Sequence, residues 1–221
     1  MKKRIINKLI GNSSNAGFTL VEMIVCFALL GIFIASAATF ISTIANLFYD
    51  IKGETYAREV SDIVTQKVVS EVDGAKYYGA GNDDNPMIDS NGTSITLYDK
   101  TDTKVIISTD ENKLVVDYPA FSVIKDGATV EAESRDSQRW MFTDGMYNGY
   151  SISEMYIYPA NKVGSSSIPI ADYGLTASSD YPDNVVVLLL HLHSAKYGEY
   201  YSYRFIKLFN IPDADTWGYG L

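Results

Sequence analysis

A single cysteine, Cys26, occurs in 221 residues, so no intrachain disulfide can form and any folded part must be held by packing. Histidine is almost as scarce: the two present are His191 and His193. A nucleophile activated by an adjacent base therefore has little to draw on, because Cys26 lies inside an apolar run. No glycine-rich phosphate loop and no paired-carboxylate motif with supporting spacing occurs. The chain is read as a non-enzyme. Positive charge is sparse and uneven, with 18 basic residues against 27 acidic. Lys2, Lys3, Arg4 and Lys8 all precede the apolar run, and without residues 1–17 the balance becomes 14 against 27, a net of −13. A part this acidic lacks the cationic surface that passive polyanion binding needs, so no direct nucleic-acid binding is expected. Lys196, Arg204 and Lys207 are close in sequence and read as scattered charges on strands.

What the chain does have is one long apolar segment. Residues 18–48 contain a single charge, Glu22. About 20 apolar residues cross a hydrocarbon core, so the segment spans with residues to spare. The basic start should stay cytoplasmic and the acidic remainder should lie outside. Near the start of such a helix a carboxylate costs about 2.5–3.5 kcal/mol on insertion scales, which makes Glu22 a functional-site hypothesis. No second charge lies in the segment, so its counter-charge is expected on another molecule or at a chain terminus. Ala28, Ala35, Ser36, Ala37, Ala38, Ser42 and Thr43 are small enough for close helix approach in lipid. Ala35-Ser36-Ala37 also fits an ordinary signal-peptide site, which would release a protein beginning at Ala38. The long polar stretch before the run and Glu22 within it speak against that alternative.

The helix should continue past the membrane. Tyr56, Val60, Ile63, Val64, Val68 and Val72 recur at spacings of three and four, one stripe of an amphipathic helix over 49–73. Gly53 reads as a tolerated weak point, and Gly74 as a left-handed stop. The rest, 74–221, reads as a β-rich head. Ser94–Asp99, Lys104–Ser108 and Lys113–Tyr118 form an antiparallel meander whose Ile95, Leu97, Val105, Ile107, Leu114 and Val116 should cover the helix stripe. Trp140–Phe142 and Met155–Tyr158 are shorter strand pieces. Val185–His193 and Glu199–Phe209 form a hairpin partly buried on both faces. The fold class expected is α+β: a long N-terminal helix, half membrane-spanning and half amphipathic, packed on an antiparallel sheet.

Metal sites are weakly indicated. His191 and His193 share a strand face, where Asp180 or Asp183 could join them. Asp83-Asp84-Asn85 and the pair Asp213 and Asp215 could offer oxygens to calcium, without EF-hand spacing. The default is no metal and no cofactor. Asn91-Gly92-Thr93 fits a glycosylation sequon but reads better as a turn.

Gly17-Phe18-Thr19-Leu20-Val21-Glu22 after a basic and polar leader, followed by an unbroken apolar helix, resembles the type IV pilin superfamily, which includes the pseudopilins of type II secretion and DNA uptake. The resemblance implies a leader, 1–17, removed by a prepilin peptidase after Gly17. It implies N-methylation of the new terminus, Phe18, and a filament-assembly role for Glu22. It further implies partners: other pilin or pseudopilin subunits through residues 18–48, an assembly platform membrane protein, and membrane lipid before assembly. Some pseudopilins bind calcium, so the resemblance names calcium as the alternative to the default of no metal. Three departures stand out: Ala16 where many leaders are basic, no proline midway along the apolar helix, and no paired cysteines near the C-terminus. The large head suggests a minor or tip-proximal subunit.

Overall fold

The computed structural model describes residues 18–76, 86–121, 124–125, 128–129, 135–163, 170–176, 184–210 and 218–219. The chain divides into two units between Phe48 and Tyr49. Helix α1, Leu20–Val72, contributes to both.

In the first unit the side chains from Leu20 to Phe48 are exposed, apart from half-exposed Ala37. Such a surface is unstable in water and suits lipid or neighbouring helices. Three of its hydroxyls are already quenched. Ser36 donates to the carbonyls of Ile32 and Phe33, Thr39 to that of Ala35, and Thr43 to that of Thr39. A hydroxyl folded back on its own helix needs no outside partner in an apolar medium.

The second unit is the head, built on the later turns of α1. Ala57, Val60, Val64, Val68 and Val72 are buried at the expected spacing. Around them lie strands β1 (Met87–Ile88), β2 (Ile95–Tyr98), β3 (Lys104–Asp110), β4 (Lys113–Tyr118), β5 (Ile124–Lys125), β6 (Ala128–Thr129), β7 (Gln138–Met141), β8 (Ser151–Pro159), β9 (Val185–Ser194), β10 (Gly198–Lys207) and β11 (Gly218–Tyr219). Among the described residues one sheet has the order β11-β1-β2-β3-β4-β7, a second has β10-β9-β8, and β5 and β6 form a third of two strands. Pairing is antiparallel except between β1 and β11. The expected layout, a long helix against antiparallel sheet, is the one observed. Ile95, Leu97, Val105, Ile107, Leu114 and Val116 share a core with the helix stripe.

Strand β9 is buried on both faces for most of its length, as its continuous apolar run requires. Val186, Leu188, Leu190 and Leu192 join the helix-side core. Val187 and Leu189 form a second, smaller core with Tyr158, Val163, Tyr173 and Leu175.

Two glycine readings need correction. Gly53 is a close-contact site: a Cβ there would lie 2.8 Å from Tyr197 Cβ. Tyr150 donates to the Gly53 carbonyl at 3.0 Å and stacks on Tyr197, so the missing side chain lets an aromatic pair sit on the helix backbone. Gly74 is not among the left-handed glycines. The helix ends differently: Ala75 N–H donates to the Val72 carbonyl, and the Asn210 amide donates to the carbonyls of Asp73 and Ala75 at 3.4 and 3.3 Å. A side chain from beyond β10 thus does what a left-handed residue does elsewhere. Strand β8 is also longer than the four residues expected, with a bulge between Ile152 and Glu154 that hides its alternation.

Asn91-Gly92-Thr93 forms the turn before β2. Gly92 has φ +72° and lies under the Tyr158 ring, where a Cβ would come within 2.3 Å. Tyr158 donates to the Asn91 carbonyl at 2.6 Å. Gly92→Ala should destabilise the head by about 1–3 kcal/mol through backbone strain and overpacking, read as a lowered urea midpoint. An unchanged midpoint would contradict this packing.

The β2–β3 turn is organised by Asp99. Its Oδ1 accepts from Thr101 N–H and Oγ1, both at 2.7 Å, and from Thr103 N–H at 2.9 Å. Burial is the largest single influence and pushes the carboxyl up, but the hydrogen bonds from Thr101 and Thr103 together outweigh it and hold it below its ordinary value. A lowered folded-state value contributes stability above the unfolded pKa, about 3.9, which is lost as pH falls through the folded one. Asp99→Asn should therefore destabilise the protein at pH 7 and match the parent at pH 2 in urea unfolding.

Candidate functional site

The start of α1 carries the residue of greatest interest. Thr19 precedes the first helical residue and Glu22 lies three positions later. Thr19 N–H and Thr19 Oγ1 both donate to Glu22 Oε2 at 2.9 Å, and Glu22 N–H donates back to Thr19 Oγ1 at 3.2 Å. This is a reciprocal capping box, which satisfies donors that the first turn leaves without helical partners. The sequence reading missed it, although Thr-x-x-Glu before an apolar run is its signature. Glu22 thus finds neutral donors in its own chain, and no opposite charge among the described residues of the segment. The cap satisfies hydrogen bonds and leaves the net charge in place.

Beyond Glu22 the helix is long and apolar enough to cross a membrane. Cys26 is exposed within that surface. Gly17 lies outside the described residues, whereas Phe18 is described and exposed.

Residues 12–38 match the prokaryotic N-terminal methylation motif, the signature of type IV pilins and pseudopilins. The matched stretch holds Gly17, Phe18, Thr19 and Glu22 and stops well short of the head. Residues 12–38 therefore carry the N-terminal motif found in pilin-like and pseudopilin precursors. The motif implies processing by a prepilin peptidase and assembly with other pilin-type subunits. The apolar helix fits anchoring in a membrane. No curated protein matches the chain.

The histidines form a second cluster. His191 and His193 on β9 lie on one sheet face, as their spacing requires, and both reach Glu199 on β10. His191 Nε2 is 2.7 Å from Oε2, and His193 Nδ1 is 2.5 Å from Oε1. Hydrogen bonds from His193 and then His191 hold the Glu199 carboxyl below its ordinary value. His191 also stacks on Tyr201 with centroids 4.2 Å apart. Its buried Nδ1 makes no hydrogen bond and lies 3.9 Å from Glu154 Oε2. Glu199 was absent from the sequence reading, because cross-strand register decides it: Glu199 pairs with His193. Among the described residues no three His, Cys, Asp or Glu side chains are placed to hold a metal ion. Asp83, Asp84, Asn85, Asp180, Asp183, Asp213 and Asp215 lie outside the described residues.

The capping box generates a direct test. Thr19→Ala should cost the first turn about 1 kcal/mol, seen in detergent micelles as roughly fivefold faster amide exchange at Glu22 and Met23. Thr19→Ser should exchange like the parent. Equal rates for the alanine variant would show that the cap does not hold the helix start.

Proposed function

We propose that this protein is a structural subunit of a type IV pilus-like filament, a minor pilin or a pseudopilin without catalytic activity. It waits in the cytoplasmic membrane as a single-pass precursor, with residues 1–17 as leader on the cytoplasmic side and the head outside. Prepilin peptidase cuts after Gly17, and Phe18 becomes the N-methylated terminus. Residues 18–48 then leave the lipid, guided by a platform membrane protein, and bundle with the same segments of other subunits.

The observation that carries this reading is the lone Glu22 inside a stretch with no other charge, within the matched motif. Cleavage creates an α-ammonium four residues before it, with an ordinary pKa of about 7.7–8.0. In a core of bundled apolar helices each charge is costly alone. Paired between neighbouring subunits, they cancel. The capping box supports the same reading, because it occupies only one carboxylate oxygen with neutral donors. An uncut subunit has no ammonium at that depth, so processing would license entry into the filament. The pair sets register, and helix packing supplies most of the binding energy.

The mature protein should begin at Phe18 and carry one extra methyl group by intact mass. A terminus at Ala38 would make it an ordinary secreted protein instead. Glu22→Ala should insert and be cut normally yet assemble poorly, because an ammonium left unpaired in the core costs about 3–5 kcal/mol. Assembly at the parental level, measured in sheared or detergent-resistant filament fractions, would contradict the pairing.

A further inference from the structure

Strand β10, Gly198–Lys207, is the edge of its sheet: among the described residues it pairs with β9 and with no strand on its other side. In an antiparallel ladder alternate residues turn their N–H and C=O groups outward, so one side of a ten-residue strand is left as a template for another. Natural edges of this length are blunted by proline, bulges or inward charges. β10 has no proline, its pairing with β9 runs without a register shift, and its one inward charge, Arg204, lines the groove beside α1 that Asp62 also lines. We propose that this edge pairs with the same edge of a second copy, antiparallel and centred on Tyr203, joining two three-stranded sheets into one of six.

The sequence of β10 fits its own reverse. With Tyr203 opposite Tyr203 of the second copy, Glu199 falls opposite Lys207 and Tyr201 opposite Phe205, and each pairing occurs twice around the two-fold axis. Opposite charges and aromatic pairs directly across a ladder are the favourable cross-strand combinations. A register centred on Ser202 instead would keep each face but bring Glu199 opposite Phe205 and lose both charge pairs. Tyr201 and Tyr203 are 38% and 44% exposed, large for aromatic side chains side by side on a strand.

The helix-side face of the edge also has room. A groove of about 590 Å³ lies between Thr65, Val69 and Asp73 of α1 and Arg204, Ile206 and Phe209. A smaller one of about 310 Å³ continues along Ser61, Asp62, Tyr200 and Ser202. In the proposed register Tyr200 of the second copy falls opposite Ile206, at the larger apolar groove. Arg204 of the second copy falls opposite Ser202, at the smaller groove that Asp62 lines. Shape and charge thus agree on both faces of the added strand. The contact uses the head alone and stands whether or not the filament reading holds.

Residues directly opposite across an antiparallel pair have Cα atoms about 4.5–5.5 Å apart, within disulfide range. In the full chain in detergent micelles, with Cys26→Ser as background, Tyr203→Cys should form a disulfide-linked dimer on mild oxidation. It should do so at least about tenfold faster than Lys104→Cys, an exposed position on β3 (an advantage of about 1.4 kcal/mol in effective association). Adding Lys207→Glu sets like charges opposite Glu199 at both ends and should slow the crosslink by about tenfold. A rate equal to the Lys104→Cys control, or one unaffected by Lys207→Glu, would overturn the proposal. Sedimentation gives a second reading: twice the protomer mass for the parent, falling to one protomer with Lys207→Glu, supports the pair, and a protomer mass for the parent throughout the micromolar range, or a dimer mass unchanged by Lys207→Glu, overturns it.

Discussion

An isolated carboxylate at the start of an apolar helix is the constraint on which this account rests. Glu22 is the only charge from Phe18 to Phe48, in a surface that must be covered by lipid or by other helices. Its own chain meets part of the demand. Thr19 supplies two donors to one oxygen, and Glu22 returns an N–H to the Thr19 hydroxyl. These bonds fix where the helix begins and which way the carboxylate faces. They do not remove its charge, and a low-dielectric surrounding still asks for a cation. The terminus that cleavage after Gly17 would create is a cation of the right size near the right depth.

The head solves a different problem, that of ordering a β-rich domain without a disulfide. It does so by using each apolar element twice. The Ala57–Val72 stripe of α1 receives inward residues from both sheets. Strand β9 is packed on one face against that shared core and on the other against Tyr158, Val163, Tyr173 and Leu175. Polar ties close the seams. Ser61 and Ser202 hydroxyls meet at 2.7 Å, Tyr118 donates to Glu71 at 2.9 Å, and Leu114 N–H donates to the Tyr147 hydroxyl at 2.8 Å. Each tie joins groups from different elements, so packing and hydrogen bonding specify the same arrangement.

Much of this was legible in the residues, and the reasons differ by region. The apolar run needs only composition. Strands β2, β3 and β4 declare themselves because two-residue alternation is clean and the turns between them are rich in Asp, Asn and Thr. Strands β9 and β10 are long and apolar or aromatic enough to be seen whole. The segment from Pro119 to Asp183 was less clear, because β5, β6 and β7 are short, β8 carries a bulge, and short 3-10 turns intervene. Gly53 and Gly74 were misread because a glycine's role depends on what approaches it, Tyr197 in one case and the Asn210 cap in the other. Glu199 was missed because only register sets it against two histidines. Thr19 was there to be read, as the first residue of a capping box.

The central claim is a contact between subunits, so the decisive measurement is a distance across that contact. Filaments would be grown from a mixture of two preparations, one carrying ¹⁵N at the Phe18 amine and the other ¹³C at the Glu22 carboxyl. Solid-state dipolar dephasing between the two labels reports only pairs on different subunits. The account predicts strong dephasing, corresponding to an ion-pair separation of about 3–4 Å. Absence of dephasing in well-ordered filaments would show that the carboxylate is neutralised by something else.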